Sequence, residues 1–397
     1  MSAGARPPTR FFVAALGMGV SFANTAVAVP LLVLSLHGDA ALAGGLLATM
    51  TVAIAFGALL SGVVSHRAGG AARTLVVALA TSGIGGTILV LSVSVVLVAL
   101  ASALVGLGVG IFWVASQLVL GRRSGEPGSE RAFLVHYAVY TFGAVLGSGA
   151  TGAIAAFGTG EGLAHATAIR LSALLAVGAV VAALALWRPH AVRTSEKRSP
   201  ARPSMAPALH LAIQSSDLLL VGALGLLLPL TPIVLAHGYH LGPLTVGLVM
   251  AGVSLAKIAG TLAARVLSDT SGQRATILLL LGGAAAFCSM LSVALTAPVF
   301  VGALLVTALA GTGAWPLVVD SAQARVRPDR RQGLTVLWNV REYAVIAAAT
   351  ACSGWLLGVF DRPTPIFLVA ALLIAASALC SGAVLRRPVW LPDEASA

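Results

Sequence analysis

Charge is what this chain has least of. Only 9% of its 397 residues are Asp, Glu, Lys or Arg, and only 13 are acidic. Soluble domains carry about 25% charged residues, so this composition excludes an ordinary water-soluble globule. Cysteine is also scarce: Cys288, Cys352 and Cys380 lie scattered inside apolar stretches. That spacing excludes a disulfide framework and a thiolate metal site. The sequence has no Walker loop, no cluster with metal-ligand spacing and no specific Ser-His-Asp set, so neither enzyme chemistry nor a cofactor is expected.

What is abundant is apolar surface. The chain is 58% hydrophobic, with a mean hydropathy of +0.98. Since about 20 apolar residues cross a bilayer core, twelve segments are long enough to span. They are Phe11–Leu36, Ala41–Ser65, Thr74–Val95, Leu97–Leu120, Ala132–Phe157, Ala168–Trp187, Leu209–Leu235, Pro243–Leu267, Ala275–Thr296, Pro298–Asp320, Gly333–Val359 and Pro365–Leu385. The fold class expected is an all-α integral membrane protein of twelve transmembrane helices. The first segment follows Arg6 and Arg10 and is read as the first helix, being long for a signal-peptide core.

The net charge of +11 does not imply nucleic acid. With the N-terminus in the cytoplasm, 20 of the 24 Lys and Arg residues fall on the cytoplasmic side. Arg170 and Arg362 fall outside, and Lys257 and Arg341 lie within spans. That is the positive-inside pattern. It predicts a multi-pass membrane protein with both termini cytoplasmic, and the excess of Arg over Lys with abundant Ala, Gly, Val and Leu points to a bacterial plasma membrane. Basic residues dispersed over seven short segments do not make a nucleic-acid footprint.

Residues 188–208 form the one polar linker, basic and rich in Pro and Ser. They divide the chain into six-span halves, 1–187 and 209–397. The halves look like copies. His37–Gly38 recurs at His237–Gly238, and Gly108-Val-Gly110-Ile-Phe112 at Gly311-Thr-Gly313-Ala-Trp315. The same register sets Gln117 against Asp320 and Tyr140 against Tyr343. Duplicated six-helix bundles with a site between them are a transporter plan.

At this point the chain resembles the major facilitator superfamily. The family's loop 2–3 signature, G-x-x-x-D-R-x-G-R-R, is matched by Gly62-Val-Val-Ser-His66-Arg67-Ala-Gly69-Gly70, with His66 replacing aspartate. A second degenerate copy runs from Arg265 through Asp269 and Gly272 to Arg274. The resemblance implies a gating role for Arg67, Asp269 and Arg274. A looser similarity is to the drug and metabolite exporters, whose span 5 motif appears as Gly143-Ala-Val-Leu-Gly147-Ser148-Gly-Ala-Thr151-Gly152, without its proline. Leu104 stands where those exporters have the span 4 arginine associated with proton coupling. Helices 1, 2, 4, 5, 7, 8, 10 and 11 line the cavity in this family.

Four charges lie inside spans: Asp217, Lys257, Arg341 and Glu342. A charge near the bilayer centre costs about 2.5–3.5 kcal/mol or more and marks a substrate or ion path by default. At about 1.5 Å per residue, all four fall about 12–16 Å from the cytoplasmic helix ends. They are expected to share one formally neutral layer. Within it Asp217 and Glu342 are proton candidates, Arg341 suits carboxylate or phosphate, and Lys257 suits an anionic group or Asp217. The alternative is a static charge brace between helices. Gln214 shares the helix face of Asp217, and Trp338 that of Glu342. Asn24, Gln117, His136, Tyr140, Tyr343 and the shallower Asp320 complete the candidate substrate and proton-binding set. Each of these has the competing reading of interhelical packing. The expected function is export of a small organic molecule by a monomer in the lipid bilayer, with protons as the coupling ion. Uptake by proton symport or facilitated diffusion is the alternative, and a non-transporting sensor or scaffold is a rival of another class.

Overall fold

The computed structural model describes residues 9–37, 39–68, 70–92, 94–121, 129–158, 163–186, 207–323, 331–360 and 363–384. The side chains of His66 and Asp320 and most of the linker 188–208 lie outside the described residues. Twelve α-helices account for nearly all of it. They are α1 (Thr9–His37), α2 (Ala40–Arg67), α3 (Ala71–Leu91), α4 (Val95–Gly121), α5 (Ser129–Phe157), α6 (Leu163–Leu186), α7 (Pro207–Ile233), α8 (Pro243–Ser271), α9 (Gln273–Leu291), α10 (Ala297–Gln323), α11 (Arg331–Phe360) and α12 (Thr364–Val384). Helix is the local answer to an apolar setting, because each segment then pairs its own backbone N–H and C=O groups. Eleven of the helices are long and apolar enough to cross a membrane. The twelfth, α11, carries Arg341 and Glu342 in its middle.

Local chemistry explains where the helices stop. The third and fourth segments, nearly continuous in hydropathy, part at Ser92–Ser94, three residues earlier than the sequence pattern suggests. Ser92 turns its N–H and hydroxyl onto the Leu89 carbonyl, and the Ser94 hydroxyl accepts the Leu97 N–H at 3.4 Å. A serine at that place caps a helix start. The chain leaves α7 through a π-helical turn, Val234–Gly238. Gly70 and Gly272 occupy equivalent places before α3 and α9, both at positive φ, 123° and 80°. A side chain there would be strained, which fixes one glycine in each signature loop. Gly70 holds the place of Gly272, one residue on from the register the motif suggests.

Helices α1–α6 pack mainly on one another, as do α7–α12. The main bridges between the groups are α2 against α11 and α5 against α8. On the face away from the chain termini each bridge closes through a glycine pair. A Cβ on Gly44 would lie 2.6 Å from the Gly354 Cα, and one on Gly152 would lie 2.7 Å from the Gly247 Cα. The missing side chains are what let those backbones touch.

Candidate functional site

Helix α11 sorts its residues among three environments. One stripe faces α7: Gly225 admits the backbone of Ile346, and the Thr350 hydroxyl donates to the Gly225 carbonyl at 3.1 Å. A second faces the N-terminal helices through Asn339, Val340 and Tyr343. A third, with Leu337, Ala344, Ala348 and Trp355, is exposed. Glu342 precedes Ile346 by one turn and belongs to the first stripe. Arg341, about 100° away around the helix, sits on the exposed flank. Adjacent in sequence, the two part company in space.

Glu342 is buried, and two indoles hold it. Trp338 Nε1 donates to its Oε1 at 2.8 Å from the same helix, and Trp315 Nε1 donates to the same oxygen at 3.0 Å from α10. Asp217 lies beside it on α7, 1% exposed, and neither of its oxygens meets a donor in hydrogen-bonding geometry. Among the described residues, the charged group acting on Asp217 is Glu342, an acid rather than a base.

The structure does not gather all four charges. Arg341 donates to Gln214 Oε1 at 2.6 Å, and among the described residues neither it nor Lys257 makes a salt bridge with either acid. Lys257 does face inward. On α8, Gly260 meets α10 and Gly247 meets α5, and Lys257 lies between these contacts with Ser254 and Thr261. Hence the C-terminal half presents a carboxyl pair and, apart from it, a single inward lysine.

In the N-terminal half His136 is 0% exposed, with both ring nitrogens unpaired. It stacks on Phe11 at 4.7 Å and on Phe112 at 5.8 Å, with Trp113 edge-on at 5.7 Å. Tyr140, one turn later, packs on Trp113 at 4.8 Å, and Tyr343 of α11 joins the same cluster. Two glycines of the span 5 motif serve packing here, with Gly143 seated on the Leu16 carbonyl and Gly147 on that of Val20 in α1. Asn24 donates to Thr151 at 2.6 Å and Ser172 at 3.1 Å, tying α1 to α5 and α6. Arg67, Asp269 and Arg274 are exposed near the ends of α2, α8 and α9 and make no ion pair among the described residues.

Two cross-half contacts lie close to the carboxyl pair. Asn339 Nδ2 donates to Gln117 Oε1 of α4 at 2.9 Å, and Trp315 lies 6.1 Å, centroid to centroid, from Tyr137 of α5. Sequence reasoning did not single out Tyr137 or Asn339. Asn339 precedes Glu342 by three residues, which is the one signal that could have found it.

The family description "Major Facilitator Superfamily" matches residues 11–224 and again 216–395. The chain belongs to the major facilitator superfamily. Solved structures of similar fold include a D-xylose–proton symporter, 15% identical, covering 93% of this chain and 96% of that one at a TM-score of 0.74. The nucleoside transporter NupG is 12% identical over 96% and 99% of the two chains, with a TM-score of 0.69. FucP in its outward conformation is 12% identical over 95% and 98%, with a TM-score of 0.65. None of the curated proteins compared matches the chain. Membership makes the chain a multi-pass membrane transporter that acts on small molecules, and not an enzyme. For the superfamily, the double match has a physical counterpart. Gly110 of α4 against α2 and Gly313 of α10 against α8 are equivalent close approaches in the two halves.

Proposed function

We propose that this superfamily member exports a small organic molecule across a bacterial plasma membrane, coupled to protons. It works as a monomer, by alternating access between residues 1–187 and 209–397. The observation that supports proton coupling is the pair Asp217–Glu342 with no cation against it. Two buried carboxylates side by side repel each other, and among the described residues neither lysine nor arginine relieves them. A proton shared between them is the simplest counter-charge, and exchanging it with water on alternate faces couples the halves to a proton gradient. Export follows from the span 5 resemblance at Gly143, Gly147 and Gly152. In this reading Lys257, on the inward face of α8, meets an anionic group of the substrate.

The test is flux in proteoliposomes holding a pH-sensitive dye, challenged with a panel of small organic solutes under an imposed pH gradient. A solute whose movement carries protons supports the reading, and the sign of the gradient that drives it gives the direction. Solute movement without proton flux removes the coupling role, and no movement of any solute favours a sensor. The orientation is tested separately. A cysteine at position 195 should react with a membrane-impermeant maleimide only after the cytoplasmic side is opened, as the arginine distribution requires. Labelling in intact cells would invert the topology.

A further inference from the structure

We infer that Trp315 is a positioning residue that transmits the protonation state of the carboxyl pair to the contact between the two halves. This rests on the proton-binding reading of Asp217 and Glu342. The indole has two roles at once. Its Nε1 is held by Glu342 Oε1 at 3.0 Å, and its ring lies against Tyr137 of α5 at 6.1 Å. Glu342 is thus two contacts from the opposite half. The neighbouring turn of α11 reinforces the link, since Asn339 bonds Gln117 of α4 and Val340 packs on Ala58, Ala71 and Val114.

The sign follows from hydrogen-bond strength. An N–H bond to an ionised carboxylate is about twice as strong as one to a neutral acceptor. With the pair deprotonated, Trp315 is held against Tyr137, and the halves stay joined on the face that carries the chain termini. A proton arriving on the pair weakens that bond and frees the indole. Among the described residues, the ionisable groups near Glu342 are Asp217 of α7 and, by way of Tyr343 on its own helix, Tyr137 and Tyr140 of α5. Lys257 of α8 and Arg341 make no salt bridge with it. Helix α2 brings no ionisable side chain before His66 and Arg67 at its end. The pair is therefore the group whose charge this indole reads.

The experiment is a spin-label distance measurement on the full chain in nanodiscs, at pH 8 and pH 5. Labels go on cysteines at Arg73 and Ala275, both exposed at helix starts on the terminal face, with Cys288, Cys352 and Cys380 replaced by alanine. In the otherwise native protein the ratio of open to closed populations should rise about fivefold at low pH. In Trp315→Phe, which keeps a ring and loses the N–H, the change should fall below about twofold. Tyr137→Leu, which leaves the indole bond intact but removes its partner, should do the same, and it decides the matter if Trp315→Phe does not fold. Glu342→Gln should make the distance independent of pH. If Glu342→Gln removes the response while both ring variants keep it in full, the transmission role is overturned and the proton site stands. If the native protein shows no response at all, the proton-site reading fails and this inference fails with it.

Discussion

Asp217→Asn and Glu342→Gln are expected to flatten the pH dependence of transport, lowering proton-driven flux at least tenfold, while the thermal midpoint stays level or rises. The direction of the stability change separates function from bracing. In a static brace each acid would neutralise a base, and deleting it would leave a buried cation unpaired, at a cost of about 3–5 kcal/mol. No such base faces Asp217 or Glu342 among the described residues. Removing one carboxyl instead relieves a like-charge contact. In Asp217→Asn the new side-chain amide would also bring a donor where Asp217 now has two unpaired oxygens. The measurement is flux against pH with a melting curve for each variant. Unaltered pH dependence together with a clear loss of stability would make the pair structural.

Gly152→Leu should block transport by wedging apart the seam between α5 and α8. A first side-chain carbon at Gly152 would sit 2.6 Å from the Pro243 carbonyl oxygen and 2.7 Å from the Gly247 Cα, both backbone atoms that cannot swing aside. Gly354→Leu meets the same obstacle at Gly44 Cα, 2.9 Å away. Overpacking of this kind costs about 1–3 kcal/mol. The penalty falls only on the state in which these helices touch, so it shifts the conformational equilibrium by about 5- to 150-fold. Transport should collapse while folding survives, with cysteines placed along that seam becoming reactive. Gly283→Ala is the control, because nothing lies within 4 Å of its missing Cβ. It should leave flux unaltered and help α9 slightly, as alanine does in place of glycine in a helix. Wild-type flux in Gly152→Leu would show that the seam never needs to close.

The chain's twelve spans were legible in sequence because hydropathy is a one-dimensional signal: length and polarity along the chain fix each helix before any partner is considered. The repeat was legible for the same reason, and so was the family, whose signatures lie within single loops. The depth of the charges could also be counted, since rise per residue is constant. Rotation about the helix axis was harder. Arg341 and Glu342 share one depth, yet their side chains leave α11 on different flanks, and only packing against α7 decides which of them faces inward. His136 likewise looked available for chemistry, and the fold sealed it among Phe11, Phe112 and Trp113.

By itself, then, the sequence determined the helices, their count, the duplication and the presence of four costly intramembrane charges. Tertiary structure decided which of those charges meet. A neutral layer of two acids and two bases was the electrostatically natural guess from composition. In the folded chain Arg341 turns to Gln214 and Lys257 faces inward elsewhere, so the two acids are left together under the indoles of Trp315 and Trp338. The physical reason is that pairing depends on helix rotation and on contacts between segments more than a hundred residues apart, as with Gln214 and Arg341. No local pattern in the sequence encodes either.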